Sequence, residues 1–228
     1  MKFSVSKEAL LDALGKTQNV VSTRANLPIL SNVLIEAEDS TLRLTTTDTD
    51  VTMRCTIPAT VEKPGATTIP VKRLAAIVRE LPAVEISLET DSKSHTVIRS
   101  GGSFFKICGL PADEFPAFPS LQAGKEYKLK QSELKDGLRK TSYAISADQT
   151  RYVLNGILFA FKDNRLTLVA TDGRRLALFE SDMEFPQSLE SDIIVPTKAI
   201  NELQRLLSDA GEMTIHATEN LVCFLLNN

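Results

Sequence analysis

The chain has 228 residues, 43% of them apolar, and its 26 Lys and Arg against 29 Asp and Glu leave a net charge of −3. That length allows two ordinary globular domains, and the acidic balance excludes a protein that holds nucleic acid by wholesale basicity, so any DNA contact has to come from local segregation of charge. Cys55, Cys108 and Cys223 are odd in number and widely spaced, which fits neither a disulfide framework nor a CxxC metal pair; they read as small buried residues in a reducing compartment.

The first element is an amphipathic helix over 6–24 that sets Leu10, Leu14, Thr17 and Val21 on one stripe. Two strand runs follow, ILSNVLIEA and LRLTTTD, split by the polar turn Glu38-Asp39-Ser40. A second helix over 71–81 opens at Pro70, which suits a first helical turn, and short strands close the unit. The stretch GLPADEFPAFPSL then interrupts regular structure and puts a boundary near Ala123-Gly124. The same order returns in the second half. A helix over 130–146 aligns Leu134, Leu138, Thr141 and Ile145, the runs VLNGILFAF and LTLVATD flank Lys162-Asp163-Asn164, and a helix over 197–209 opens at Pro196.

Shifting the sequence by 124 lays Leu10 through Asp48 on Leu134 through Asp172 without a gap, and 13 of the 39 pairs are identical. Composition alone would give roughly two or three. At an offset of 126, Pro70-Val71-Lys72 meets Pro196-Thr197-Lys198. A period this long implies a duplicated domain rather than a solenoid, with domains at 1–124 and 125–228, the second lacking a counterpart of the last strand. Helices separated from contiguous runs of strands indicate an α+β fold, two helices per domain packed on antiparallel sheets.

The four helical segments hold 12 basic and 7 acidic residues, leaving 14 basic and 22 acidic for everything else. Because one stripe of each helix must be buried, Lys72, Arg73, Arg139, Lys140, Lys198 and Arg205 face solvent and would form a phosphate-attracting surface if the helices line up. The competing reading is an ordinary solvated face with i,i+4 pairing. Asp48-Thr49-Asp50 has the look of a paired-carboxylate metal motif. Its repeat partner, Asp172-Gly173-Arg174, keeps only the first carboxylate and reads as a hairpin turn, so no metal site is expected. His95 and His216 lie in edge segments without a nucleophile or carboxylate constellation, and GxSxG, Walker-type, HExxH and GxGxxG patterns are missing. No catalytic residue or cofactor is expected. The start MKFSVSKEAL has no apolar signal core and no run reaches the ~18 apolar residues of a membrane helix, so the reading is cytoplasmic with no membrane partner.

Several segments resemble the beta subunit of bacterial DNA polymerase III, the bacterial sliding clamp. They are Met1-Lys2-Phe3, Leu27-Pro28-Ile29-Leu30, Pro64 through Pro70, Leu110 through Pro116, Thr150 through Gly156 and, above all, Ala170-Thr171-Asp172-Gly173-Arg174-Arg175-Leu176-Ala177. The resemblance runs the length of the chain. It implies a non-enzymatic processivity factor of repeated clamp domains whose helices line a hole through which duplex DNA passes, without regard to sequence. Its DNA contacts carry over to Arg24, Lys72, Arg73 and Lys198, with Gln149 and Tyr152 in a loop that approaches DNA; position 12, often basic in relatives, is Asp12. It also implies a pocket that captures short linear motifs of the polymerase III catalytic subunit, the clamp loader and repair polymerases. Leu154, Thr171, Gly173, Arg174, Arg175 and Leu176 match one wall of it, Arg174 standing where many relatives have His. Phe105 and Ile107 match a head-to-tail homodimer interface and are expected on an exposed edge strand. Relatives carry a third domain, so this chain by itself is expected to close no ordinary two-chain ring and to hold peptides weakly. Two rivals stay open: a duplicated interaction module that does not bind DNA, and a metal-dependent enzyme using Asp48, Asp50 and Asp172.

Overall fold

The structure, a computed structural model, describes residues 1–21, 27–82, 84–119, 124–218 and 220–226. The chain divides into two compact units, Met1–Phe118 and Pro119–Asn228, each with helices on antiparallel sheets.

The first unit runs β1 (Lys2–Ser6), α1 (Lys7–Thr17), β2 (Asn32–Glu38), β3 (Thr41–Thr47), β4 (Thr52–Pro58), β5 (Thr60–Lys63), β6 (Gly65–Pro70), α2 (Val71–Glu80), β7 (Glu85–Thr90), β8 (His95–Ser100) and β9 (Ser103–Cys108). One sheet has the order β5-β1-β7-β8-β9 and the other β4-β3-β2-β6. Alternation along the strands turns Val33, Ile35, Leu42 and Leu44 inward, where α1 adds Leu10, Ala13 and Leu14 and α2 adds Val71, Leu74 and Val78. Each such aliphatic side chain removed from water contributes about 1.5–3 kcal/mol before ordering costs are subtracted.

The second unit repeats the plan: β10 (Lys125–Lys130), α3 (Gln131–Thr141), β11 (Gly156–Lys162), β12 (Arg165–Thr171), β13 (Leu176–Asp182), β14 (Ser191–Pro196), α4 (Thr197–Leu206), β15 (Glu212–Ala217) and β16 (Val222–Leu226). Its sheets are β10-β15-β16 and β13-β12-β11-β14. Tyr127 anchors its core: the ring is stacked on Phe161 with centroids 3.7 Å apart, and its hydroxyl bonds Ser191 Oγ at 2.6 Å and the Leu189 carbonyl.

Conformation repeats along with sequence. Asp39 and its partner Asp163 have φ of 51° and 52°, and Thr49 and Gly173 have φ of 82° and 87°. A β-branched residue in that left-handed region is strained by about 1–2 kcal/mol. Thr49→Gly is therefore expected to stabilise the first unit by about 0.5–1 kcal/mol after the entropy of an added glycine, a rise in melting temperature that calorimetry reads directly. An unchanged or lowered melting temperature would contradict the strain.

Several expectations need correction. The first and third helices stop at Thr17 and Thr141, short of 24 and 146, and in each the last Thr hydroxyl donates to the carbonyl four residues earlier, Ala13 or Gly137. Pro70 and Pro196 are strand ends and helix N-caps rather than first helical residues. His95 on β8 and His216 on β15 lie on inner strands, not edges, since β9 and β16 flank them. Cys108 is exposed and Cys55 and Cys223 are half-buried, so none is a fully buried filler. Ile107, expected on an exposed surface, is 1% exposed: β9 leaves its backbone edge open, but this side chain packs inward with Ile98. Phe105 and, unforeseen, Phe104 are the exposed aromatic residues of that strand.

Candidate nucleic-acid and peptide interfaces

Of the expected DNA contacts, Arg24 lies outside the described residues. Lys72 and Arg73 stand exposed at the start of α2, which packs beside α1. In the second unit α3 packs beside α4. There Asp136 receives both Arg139 and Lys140 at 2.6 Å, and Glu202 receives Arg205 at 2.7 Å. The two Asp136 partners hold its carboxyl below the ordinary carboxylate range, Lys140 first and Arg139 next. Lys198 is half-buried and its ammonium is lowered by that burial, with Glu202 pulling the other way. The pairing reading thus holds for Arg139, Lys140 and Arg205, whereas no ion pair within the described residues involves Lys72 or Arg73. Exposed intrahelical pairs are worth only ~0.3–0.5 kcal/mol, small enough for a phosphate to replace the carboxylate.

Gln149 and Tyr152 sit on a loop braced from within. Ser146 N–H donates to the Leu154 carbonyl at 3.0 Å, Asn155 Nδ2 to the Ser146 carbonyl at 2.7 Å, and Thr150 hydroxyl to Asp148 Oδ1 at 2.6 Å. On this brace Tyr152 is 80% exposed, held out without being covered.

The expected peptide residues gather at one end of the second unit's β13-β12-β11-β14 sheet. Thr171 ends β12 opposite Leu176, which begins β13, and Leu154 precedes β11, whose first residue Gly156 faces Pro196 of β14. The turn between is rigid. Thr171 hydroxyl donates to the Arg175 carbonyl at 2.7 Å, and Asp172 Oδ1 accepts the N–H groups of Arg174 and Arg175 at 2.9 and 3.0 Å. Those backbone bonds chiefly, then the Arg175 guanidinium, depress the Asp172 carboxyl. Asp48 Oδ1 does the same for Asp50 and Val51 in the first unit. Asp48 and Asp172 thus each brace the turn of their own unit.

Leu176 is 63% exposed and Leu154 half-buried, so Leu176 is no core residue. Arg175 lies 5.7 Å over the exposed Tyr143 ring, a neighbour that the sequence motif does not include. Val153, Leu178 and Ile194 are further exposed apolar residues of this unit that the sequence reading passed over. A shallow hollow of about 380 Å³ lined by Ser4, Ser6, Ser40, Thr60 and Glu85 lies in the first unit.

Two α+β units of one plan, each carrying cations on its helices, with exposed apolar residues on a sheet of the second, define a duplicated-domain protein. The DNA polymerase III beta subunit N-terminal domain matches residues 1–119 and its central domain matches 128–228, and the chain belongs to this family. The beta sliding clamp of Chlamydia pneumoniae is 35% identical over 228 residues, covering 100% of this chain and 62% of the relative. That of Proteus mirabilis is 39% identical over 215 residues, 93% of this chain and 58% of the relative. Among solved structures, a DnaN sliding clamp from Bartonella birtlesii bound to griselimycin is 39% identical with a TM-score of 0.94, over 100% of this chain and 62% of that one. The Bacillus subtilis DNA polymerase sliding clamp is 29% identical with a TM-score of 0.93, over 99% and 64%. The chain spans less than two thirds of the length of these relatives. Within the described residues no helix is long and apolar enough to cross a membrane.

Proposed function

We propose that the protein is a sliding-clamp processivity factor, not an enzyme, which surrounds duplex DNA in the bacterial cytoplasm and tethers polymerases and other partners through short peptide motifs. The observation that carries this reading is the match to two successive clamp domains, over 1–119 and 128–228, together with the likeness of the fold to a solved sliding clamp. DNA attraction then belongs to cations on the helices: Lys72 and Arg73 first, Lys198 by resemblance, with Arg139, Lys140 and Arg205 able to trade their carboxylates for phosphates, and Gln149 and Tyr152 as loop contacts. Arg24 joins them by resemblance. A grip that must slide has to be weak and blind to sequence, as phosphate contacts are.

Peptide capture belongs to Leu154, Thr171, Gly173, Arg174, Arg175 and Leu176. Apolar anchors of the motif would sit on Leu154 and Leu176, and the rigid turn would orient them. Griselimycin-bound relatives support a ligand site on this fold. Phe105 fits the role of an assembly contact between copies.

Retention of the 228-residue chain on duplex DNA tests the first half. Binding should fall as salt rises, and Lys72→Glu, Arg73→Glu and Lys198→Glu together should weaken it at least tenfold at low salt and flatten the salt dependence by about 0.9 in log–log slope for each phosphate no longer neutralised. Retention that ignores all three reversals would favour the module that does not bind DNA.

A further inference from the structure

The strand that opens each unit has a different neighbour on its outer side. β1 lies between β5 and β7, whereas β10, its repeat partner at an offset of 124, is the edge of the sheet β10-β15-β16. The backbone shows which groups that leaves bare. Gln131 N–H donates to the Gly211 carbonyl at 3.0 Å and continues the β10–β15 register, so Leu129, Tyr127 and Lys125 turn their amide and carbonyl groups to β15 while Glu126 and Lys128 turn theirs away. Among the described residues no backbone group bonds them there. Lys2 and Ser4 hold the same two positions on β1, and β5 pairs with them through Lys63 and Thr60.

The second unit forms no strand in the place of β5. Between β13 and β14, where such a strand would fall, the chain makes a turn of 3-10 helix over Gln187–Leu189. Lys125 Nζ and the Tyr127 hydroxyl hold this stretch by the carbonyls of Glu190 and Leu189, so side chains secure it and the β10 backbone takes no part. The open side of β10 is also the side away from β16, which closes the other end of the sheet. An unpaired edge is a template for another strand, and lysines commonly guard it. Lys128 and Lys130 stand exposed here, and Lys128, 74% exposed, has Glu126 as an ion-pair partner at a loose 3.5 Å. Guards of one sign repel a basic strand and draw in an acidic one. The first unit shows the contact that results, since Lys2 of β1 meets Glu62 of β5 at 2.6 Å.

We propose that the free edge of β10 takes up an extended acidic segment of a partner protein as an added antiparallel strand. β5 supplies the register. Thr60 faces Ser4 and Lys63 faces Lys2, so the partner residue in the place of Thr60 faces Lys128, the one two positions earlier faces Lys130, and the one in the place of Lys63 faces Glu126. Carboxylates at the first two places and an ammonium at the third complete the charge pattern across the new pairing. Main-chain bonds to Glu126 and Lys128 supply the affinity and the lysines select the sign of the partner. The site uses neither the helix cations nor the turn at Asp172, so it goes beyond DNA tethering and motif capture.

The probe is an end-capped peptide of sequence EAEVEK, which carries this pattern, titrated into the 228-residue chain and followed by amide NMR. Saturable shifts centred on residues 126–130 are expected. N-methylation of the third residue, whose N–H points at the Lys128 carbonyl, should weaken binding about tenfold, whereas N-methylation of the fourth, whose N–H points away, should leave it within about twofold. Lys128→Glu with Lys130→Glu should also weaken it about tenfold, and the peptide KAKVEK should regain the loss on that variant. Both positions are exposed, so an unchanged melting temperature verifies folding, and the methylated peptides decide the matter on the parent chain if the variant does not fold. No saturable shift at 126–130, or binding that ignores the site of methylation, overturns the added strand. Self-association of the chain that the double reversal abolishes, without peptide binding, would assign the edge to a second copy and overturn it as well.

Discussion

Replacing Gly109 with Ala is expected to lower the unfolding free energy of the first unit by about 3 kcal/mol. A Cβ at this position would fall well inside the van der Waals radius of the Thr68 carbonyl oxygen and 3.1 Å from its carbonyl carbon. Both atoms are backbone in β6, so no side chain can rotate out of the way. The segment would have to lift, and with it would go the two-way bridge between Leu110 and Thr68, at about 1 kcal/mol net per bond, and the packing of Phe115 over Ile29 and Leu30. Loss of unfolded-state freedom at an alanine returns only about 0.4–1 kcal/mol. Urea unfolding with a probe in the first unit should report the loss at unchanged m-value. Stability within 1 kcal/mol of the parent would mean that 109–118 is not seated as described.

That dependence also explains what was legible in the sequence. The order of helices and strands and the antiparallel α+β plan were readable, because a 3.6 or 2.0 period reports a buried face directly and the duplication repeats the report. Pairings such as Asp136 with Arg139 and Lys140 follow from i,i+3 and i,i+4 spacing alone. What escaped depends on register. Residues 109–118 read only as an interruption before the domain boundary, because prolines forbid a regular element, yet a proline-bearing segment can still lie across a sheet. Ile194, Leu158, Val169 and Leu178 are far apart in sequence and form a row only once three strand pairings are known. The repeat alignment already contained a signal, since Thr45, Arg54 and Thr68 change to Val169, Leu178 and Ile194 together. Ile107 was misplaced because a free backbone edge says nothing about where an inward side chain points.

The second large effect is a coupling rather than a loss. Where α3 crosses its sheet, a Cβ on Gly137 would approach Leu168 Cδ1 to 2.6 Å and Phe179 Cδ1 to 2.7 Å. The repeat partners are Ala13 on α1 and Cys55 on β4, and Cys55 packs half-buried against the first core, where burial raises its thiol above the ordinary cysteine value. A methyl on the helix with a thiol below it has thus been exchanged for bare backbone with a phenyl ring, at similar total volume. Gly137→Ala alone gains about 1 kcal/mol of helix propensity and meets about 1–3 kcal/mol of overpacking. Phe179→Cys alone empties the space of the ring and removes the face over which Lys140 Nζ lies at 5.1 Å, a cost of about 2–3 kcal/mol. The double variant restores the first unit's solution, so it should be more stable than the sum of the singles by about 2 kcal/mol in a denaturation cycle. Additivity within about 0.5 kcal/mol would mean that ring and glycine were chosen independently. A positive coupling would show that the copies diverged by paired changes across one helix–sheet contact, each preserving the packing of its own core.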